Sequence, residues 1–143
     1  MKHGGSLMDS VPGDMVELQR AVRLQQQAAI VGFDWASTEP VLDKLSEETT
    51  ELIEAMASGE PDPIEDELGD LLFVLANLAR HLGVNPEAAL HRANAKFEQR
   101  FRAMELAAGG QEQLNNMGLD EMEALWRKVK AAAGATGENG SSM

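Results

Sequence analysis

Hydrophobic positions through the middle of this chain recur at helical spacing, and no stretch shows the alternation of a half-buried strand. Met15, Leu18, Val22 and Ala29 mark the apolar positions of a first helix over about Asp14 to Val31. "GFDWASTEP" interrupts it, with Gly32 and Pro40 as punctuation. A second helix is predicted from about Pro40 to Ala57, its apolar arc drawn by Leu42, Leu45, Leu52, Ile53 and Met56. "SGEPDP" closes that helix and a third runs from about Asp62 to Leu82. Beyond Asp70 the third helix is apolar nearly all round (Leu71, Leu72, Phe73, Val74, Leu75, Leu78), the mark of a helix that is buried. Gly83 ends it. Asn85 then reads as an N-cap and Pro86 as the first residue of a fourth helix, which continues to about Ala107. After a Gly-Gly loop, a last short helix covers about Leu119 to Ala132.

The elements predict an all-α fold, a bundle of about five helices. The connection between the second and third is short enough to make them a central antiparallel hairpin. Residues 1–13 read as a flexible lead, 14–133 as one domain, and 134–143, "GATGENGSSM", as a disordered tail. A chain of 143 residues with 43% hydrophobic content suits one domain with a real core. Tyrosine is absent and aromatics make up only 4%, which disfavours a sheet.

Charge and cysteine content narrow the function classes. Asp and Glu total 24 against 12 Lys and Arg, a formal charge of −12, and such a surface repels nucleic acid unless a local basic patch intervenes. There is no cysteine, so disulfides and thiolate metal sites are excluded. No apolar run reaches the length of a membrane span and the start has no signal-peptide pattern. The expectation is a cytoplasmic protein with neither nucleic-acid nor membrane partners.

The acids are the feature most in need of explanation. With Gly59 as the midpoint of the hairpin, Glu51 and Glu67 lie eight residues to either side of it, and Glu48 and Asp70 eleven. Each pair therefore sits at one height across the hairpin. Within each helix the two acids are spaced i, i+3, so they share a side. Four carboxylates form a rough rectangle. On the helical wheel Glu48 borders the apolar arc, Glu51 lies further round, and Glu47 and Glu54 point away. Converging carboxylates repel and raise one another's pKa, a cost that a hard divalent cation such as Mg²⁺ removes. Two solvated acidic faces satisfy the same spacing, and the residues alone leave both readings open. A carboxylate-bridged di-iron site would want Glu-x-x-His pairs, and neither Glu48 nor Glu67 has a His three residues on. His81 and His91 follow no ligand spacing and read as solvated or capping residues. No P-loop, EF-hand loop or HExxH is present.

Four of the 12 cations, Arg92, Lys96, Arg100 and Arg102, fall within 11 residues of the fourth helix. Arg92, Lys96 and Arg100 form an i, i+4, i+8 stripe, while Leu90, Phe97, Phe101 and Met104 mark an apolar side. The stripe suits either neutralisation of an acidic surface or contacts to phosphate oxygens. The two tryptophans, Trp35 and Trp126, suit stacking on a base or a place in the core. Lys130 follows Trp126 by four residues and shares its helix face.

"EETTE" followed by "EDELGDLLFVLANLARHLGVNPEAALHRANAKFEQRF" closely resembles the MazG family of nucleoside triphosphate pyrophosphohydrolases. The likeness runs from about Leu18 to Lys130 and includes "VGFDW" and "MEALWRKVK". It is to the C-terminal catalytic domain of two-domain members, expected here to stand alone. The linker "GGQEQLNNMGLDE" departs from the family pattern. The resemblance implies an all-α homodimer that uses Mg²⁺, with Mn²⁺ able to substitute, to hydrolyse nucleoside triphosphates to the monophosphate and pyrophosphate. It implies Glu48, Glu51, Glu67 and Asp70 as metal ligands, the same four acids that the hairpin pairs. It places Glu47 where a residue orients or deprotonates the attacking water, Lys96 and Arg100 at triphosphate contacts, and Trp126 and Lys130 in a nucleotide-binding segment. Two other readings are a related pyrophosphatase restricted to dUTP or dCTP, and a catalytically silent helical interaction module.

Overall fold

The computed structural model describes residues 5–135. Helices account for almost all of the regular structure: α1 (Glu17–Ile30), α2 (Glu39–Ser58), α3 (Pro61–His81), α4 (Pro86–Ala108), α5 (Gln111–Asn115) and α6 (Leu119–Ala135), preceded by a 3₁₀ turn at Leu7–Ser10. No strand occurs among the described residues. The all-α expectation holds, with six helices in place of about five. The extra one is α5, inside the stretch read as a loop, where the run after Gly110 buries Leu114.

Local chemistry explains where the helices start and stop. Pro40 and Pro61 stand at the first or second positions of α2 and α3, where a missing N–H costs nothing. Asn85 Oδ1 accepts from the N–H groups of Glu87 (2.9 Å) and Ala88 (3.3 Å), capping α4 as its sequence predicts. Gly59 ends α2 with φ 70°, a left-handed conformation that a side chain would strain. Only Gly59 and Glu60 separate α2 from α3, so the hairpin turns tightly and its midpoint is where the sequence placed it.

The chain groups into two compact units, one up to Ala89 and one from Leu90 onward, where the sequence reads a single domain over 14–133. In the first unit α2 packs along α3, α1 lies on α3, and the 3₁₀ turn rests on α1. Val11, Val41, Ala55, Val74 and Ala76 are its buried apolar residues. Residues 7–11, part of the expected flexible lead, are thus structured: Ser6 and Asp9 form a capping box and Val11 is 7% exposed. In the second unit Met104 of α4 and Leu114 of α5 are buried, and Phe97 stacks near Phe101 and packs at a tilt against Trp126 of α6 (ring centroids 6.0 and 5.4 Å). Of the expected disordered tail, only Gly134 and Ala135 fall among the described residues, at the end of α6.

The expected burial of α3 needs correction. Leu68, Leu72, Phe73 and Leu75 are each more than 40% exposed. A helix that is apolar all round needs neighbours all round, and in its unit α3 has α1 and α2 alone as its main packing partners.

Candidate functional site

The hairpin brings the acids together as their spacing predicts. Glu48 of α2 and Glu67 and Asp70 of α3 each offer a carboxylate oxygen within 4.8 Å of the others. Glu51 adjoins this trio, its carboxyl in hydrogen-bond contact with those of both Glu48 and Glu67. Two carboxylates at that separation need a proton or a cation between them. Burial is uneven. Glu48, at the border of the apolar arc, is only 5% exposed, whereas Asp70 faces solvent. Glu48 Oε2 and Glu67 Oε2 are both buried and have no hydrogen-bond partner. A buried carboxylate oxygen without a donor is costly to keep charged.

The electrostatics agree. Contact with Glu48 raises the Glu51 pKa, with further repulsion from Glu67 and Glu47. Desolvation raises that of Glu67, helped by Asp70, Glu48 and the neighbouring Asp66. Desolvation, Asp66 and Glu48 likewise raise Asp70, and Lys44 opposes them. The sequence reading missed Asp66 and Lys44, and of the two Lys44 supplies the opposing charge. Its ammonium lies 3.1 Å from Glu47 and 3.3 Å from Glu48, and these contacts raise its own pKa. The signal was legible as the i, i+3 and i, i+4 spacing of opposite charges on one helix. Lys44 offsets part of the negative charge but donates to neither orphaned oxygen. An all-carboxylate set with unsatisfied buried oxygens fits a hard divalent cation.

The other predicted residues belong to the second unit. Along α4 the cationic stripe runs inward: Arg92 is exposed, Lys96 half-buried, and Arg100 buried at 2% exposure. Trp126 and Lys130 are both half-buried on α6. His81, read from sequence as solvated or capping, instead approaches Asp34 with Nε2 2.9 Å from Oδ1. Arg80 grips the same carboxylate with two hydrogen bonds of 2.6 and 3.0 Å. The Arg80 hydrogen bonds, then His81, hold the Asp34 pKa at about 2 against an ordinary 3.8.

Opposite pH dependences follow for the two clusters. The raised acids cost stability once ionised, so the metal-free protein is expected to gain stability as pH falls from 7 toward the ordinary Glu value of 4.5. Asp34 behaves the other way. Its contribution is complete above pH 4 and is lost as pH falls toward about 2. Allowing for solvent screening, that contribution is on the order of 1 kcal/mol. Melting temperatures between pH 2 and 7 should pass through a maximum, and Asp34→Asn should flatten the acid side alone. An unchanged acid limb in Asp34→Asn would contradict the assignment.

Residues 36–104 match the profile of the MazG nucleotide pyrophosphohydrolase domain. The match contains all four paired acids, Glu47, Lys96 and Arg100, and ends before Trp126 and Lys130. The chain is 44% identical over 129 residues to a nucleoside triphosphate pyrophosphohydrolase of Escherichia coli strain K12, covering 87% of this chain and 49% of that protein. It is 42% identical over 114 residues to the nucleoside triphosphate pyrophosphohydrolase/pyrophosphatase MazG of Thermotoga maritima, covering 79% of this chain and 44% of that protein. The chain spans about half the length of these relatives.

Proposed function

We propose that this chain hydrolyses nucleoside triphosphates between the α and β phosphates, releasing the monophosphate and pyrophosphate. The observation that carries the reading is the convergence of Glu48, Glu67 and Asp70, with Glu51 beside them, around carboxylate oxygens that no protein donor satisfies. These four would hold Mg²⁺, with Mn²⁺ as a substitute. When bound, the ion would neutralise charge on the reacting phosphate and favour ionisation of a nearby water. Glu47 is exposed beside Glu48, and its hydrogen bond from Lys44 limits where its carboxylate can point, which suits orienting or deprotonating that water. The resemblance assigns Lys96 and Arg100 to triphosphate oxygens and Trp126 and Lys130 to the nucleotide. Work on nucleoside triphosphates places the protein in the cytoplasm under this reading.

The test is a panel of ribo- and deoxyribonucleoside triphosphates with Mg²⁺ and identification of products. Monophosphate plus pyrophosphate from several bases supports the proposal. Turnover of dUTP or dCTP alone would favour the restricted pyrophosphatase, and no turnover of any member would favour the silent module. The clustered acids argue against the latter, because a silent module has no use for like charges held together.

Assembly belongs to the same proposal. On the hairpin Leu42, Ile53, Met56, Leu68, Leu72, Phe73 and Leu75 are all exposed, more apolar surface than a soluble monomer usually leaves open. A second copy of the chain is the occupant that the resemblance implies. Sedimentation at micromolar concentration is expected to give a homodimer, and a stable monomer would overturn this part.

A further inference from the structure

The turn at Gly59 fastens the hairpin at one end, and the acids sit far from it. Glu39, where α2 begins, stands 20 residues before Gly59, and His81, where α3 ends, stands 22 after it. Glu48 and Asp70 are thus near mid-length, roughly 16 Å along the axes from the turn. Like charges there push the two helices apart, and Glu48 Oε2 and Glu67 Oε2 have no protein donor to hold them. A splay of about 5° at the turn would part Glu48 from Asp70 by roughly 1.4 Å at that height. A working metal site tolerates only about 0.5 Å, and Mg²⁺ in particular demands regular octahedral geometry. Packing toward the open end is incomplete. Val41, Val74 and Ala76 are buried in that half, whereas Leu42, Leu72 and Leu75 are each more than 40% exposed.

An ion-paired cluster stands at that open end. Arg80 Nη1 and Nη2 donate to Asp34 Oδ2 and Oδ1 at 3.0 and 2.6 Å, and His81 Nε2 lies 2.9 Å from Oδ1. The other edge of the guanidinium is held too, since Arg80 Nε and Nη2 donate to Asn77 Oδ1 at 3.0 and 2.8 Å. Solvent has little access: the Asp34, Arg80 and His81 side chains are 24%, 16% and 9% exposed. A forked pair gripped on both edges fixes direction as well as distance.

The backbone passes this restraint to α2. The Thr38 carbonyl already accepts from the N–H groups of Val41 and Leu42 (3.0 and 3.2 Å), so only Trp35, Ala36 and Ser37 separate Asp34 from the hydrogen bonding of α2. On its other side Asp34 is tied to α1. Gly32, at φ 86°, turns the chain, and the Phe33 N–H returns to the Ala28 carbonyl at 3.2 Å. We propose that Asp34, Arg80 and His81 form a positioning clamp that closes the open end of the hairpin and keeps Glu48 and Glu51 in register with Glu67 and Asp70 for the metal. The three residues act through the placement of α2 against α3, not as ligands of the cation. The proposal rests on the hydrolase reading above. Coupling of this kind is reciprocal, so a cation held across the hairpin also tightens the clamp.

Two measurements on the full chain, made without nucleotide and well below each melting temperature, test it. In the first, Mn²⁺ is titrated into the metal-free wild type, Asp34→Asn, Arg80→Lys and His81→Gln, with free Mn²⁺ read by electron paramagnetic resonance and helicity by circular dichroism. Asp34→Asn and Arg80→Lys are expected to bind Mn²⁺ roughly fivefold more weakly or worse with their helices intact. His81→Gln keeps an N–H for Asp34 and is expected to stay within about twofold of the wild type. Arg80→Lys keeps the charge and loses only the fork, so it stays informative should Asp34→Asn fail to fold. In the second, amide hydrogen exchange is followed as Mg²⁺ is added. Exchange at Gly32, Phe33 and Asp34 is expected to slow in the wild type and to be unaffected in Arg80→Lys. A purely structural ion pair would lower the melting temperature of the variants and leave Mn²⁺ affinity and the response of this loop to Mg²⁺ unchanged, and that result would overturn the clamp alone. No Mn²⁺ binding by the wild type would instead sink the metal site, and with it both the hydrolase reading and the clamp.

Discussion

Asp70→Asn is expected to abolish turnover while leaving the helices intact. The substitution preserves shape and removes one charge from a cluster in which Glu48, Glu67 and Asp70 place oxygens within 4.8 Å of one another. If these oxygens hold the cation against the reacting phosphate, the loss is several kcal/mol of transition-state stabilisation, roughly a thousandfold or more in rate. Glu51→Gln should behave the same way, because its carboxyl meets both Glu48 and Glu67. Stability is expected to move oppositely. Asp70 carries a raised pKa from desolvation and from the charges of Asp66 and Glu48, so neutralising it relieves repulsion in the metal-free protein. Kinetics paired with circular dichroism melts check both halves: activity near zero, helicity unchanged, and a metal-free Tm equal to or above that of the unsubstituted chain. Full activity in Asp70→Asn would remove the acids from the metal site.

The other large effect concerns which bond breaks. A triphosphate can be attacked at the γ, β or α phosphorus. Enzymes that cut at the γ position usually cradle the phosphates in a P-loop or a kinase-type glycine-rich loop, and the sequence contains neither. What the hairpin offers is a dense carboxylate site with Glu47 alongside, suited to metal-assisted attack by water on the phosphate it holds. That chemistry permits α attack, and the MazG likeness selects it. Turnover in ¹⁸O-labelled water is therefore expected to place all of the label in the nucleoside monophosphate, read by mass spectrometry. Label in pyrophosphate would put attack at the β phosphorus. Diphosphate and inorganic phosphate as products would mean that the γ bond is cut.

Much of this site was legible before any coordinates. Proline at the helix starts and glycine at their ends act locally, through φ and missing N–H groups, so the main helix boundaries fall within a few residues of their predicted places. A two-residue connection leaves a hairpin almost no freedom of register. For that reason residues equidistant from Gly59 had to meet, and Glu48, Glu51, Glu67 and Asp70 could be paired by counting. The Lys44 contacts were available by the same kind of counting within one helix.

Helical periodicity says which residues share a face, but not which face of another helix will cover it. Only the tertiary structure decided that Glu48 is buried while Asp70 meets solvent, and that apolar faces of α3 stay open where uniform hydrophobicity predicted burial. It also brought Gln25 to the Phe73 carbonyl and Asp34 to Arg80 and His81, partners 46 to 48 residues apart in the chain. Such contacts depend on how α1 lies on α3, and no spacing within either helix carries that information. The chain's local order set its helices and its acidic rectangle, and the packing of α1 on α3 set the contacts between residues far apart in the chain.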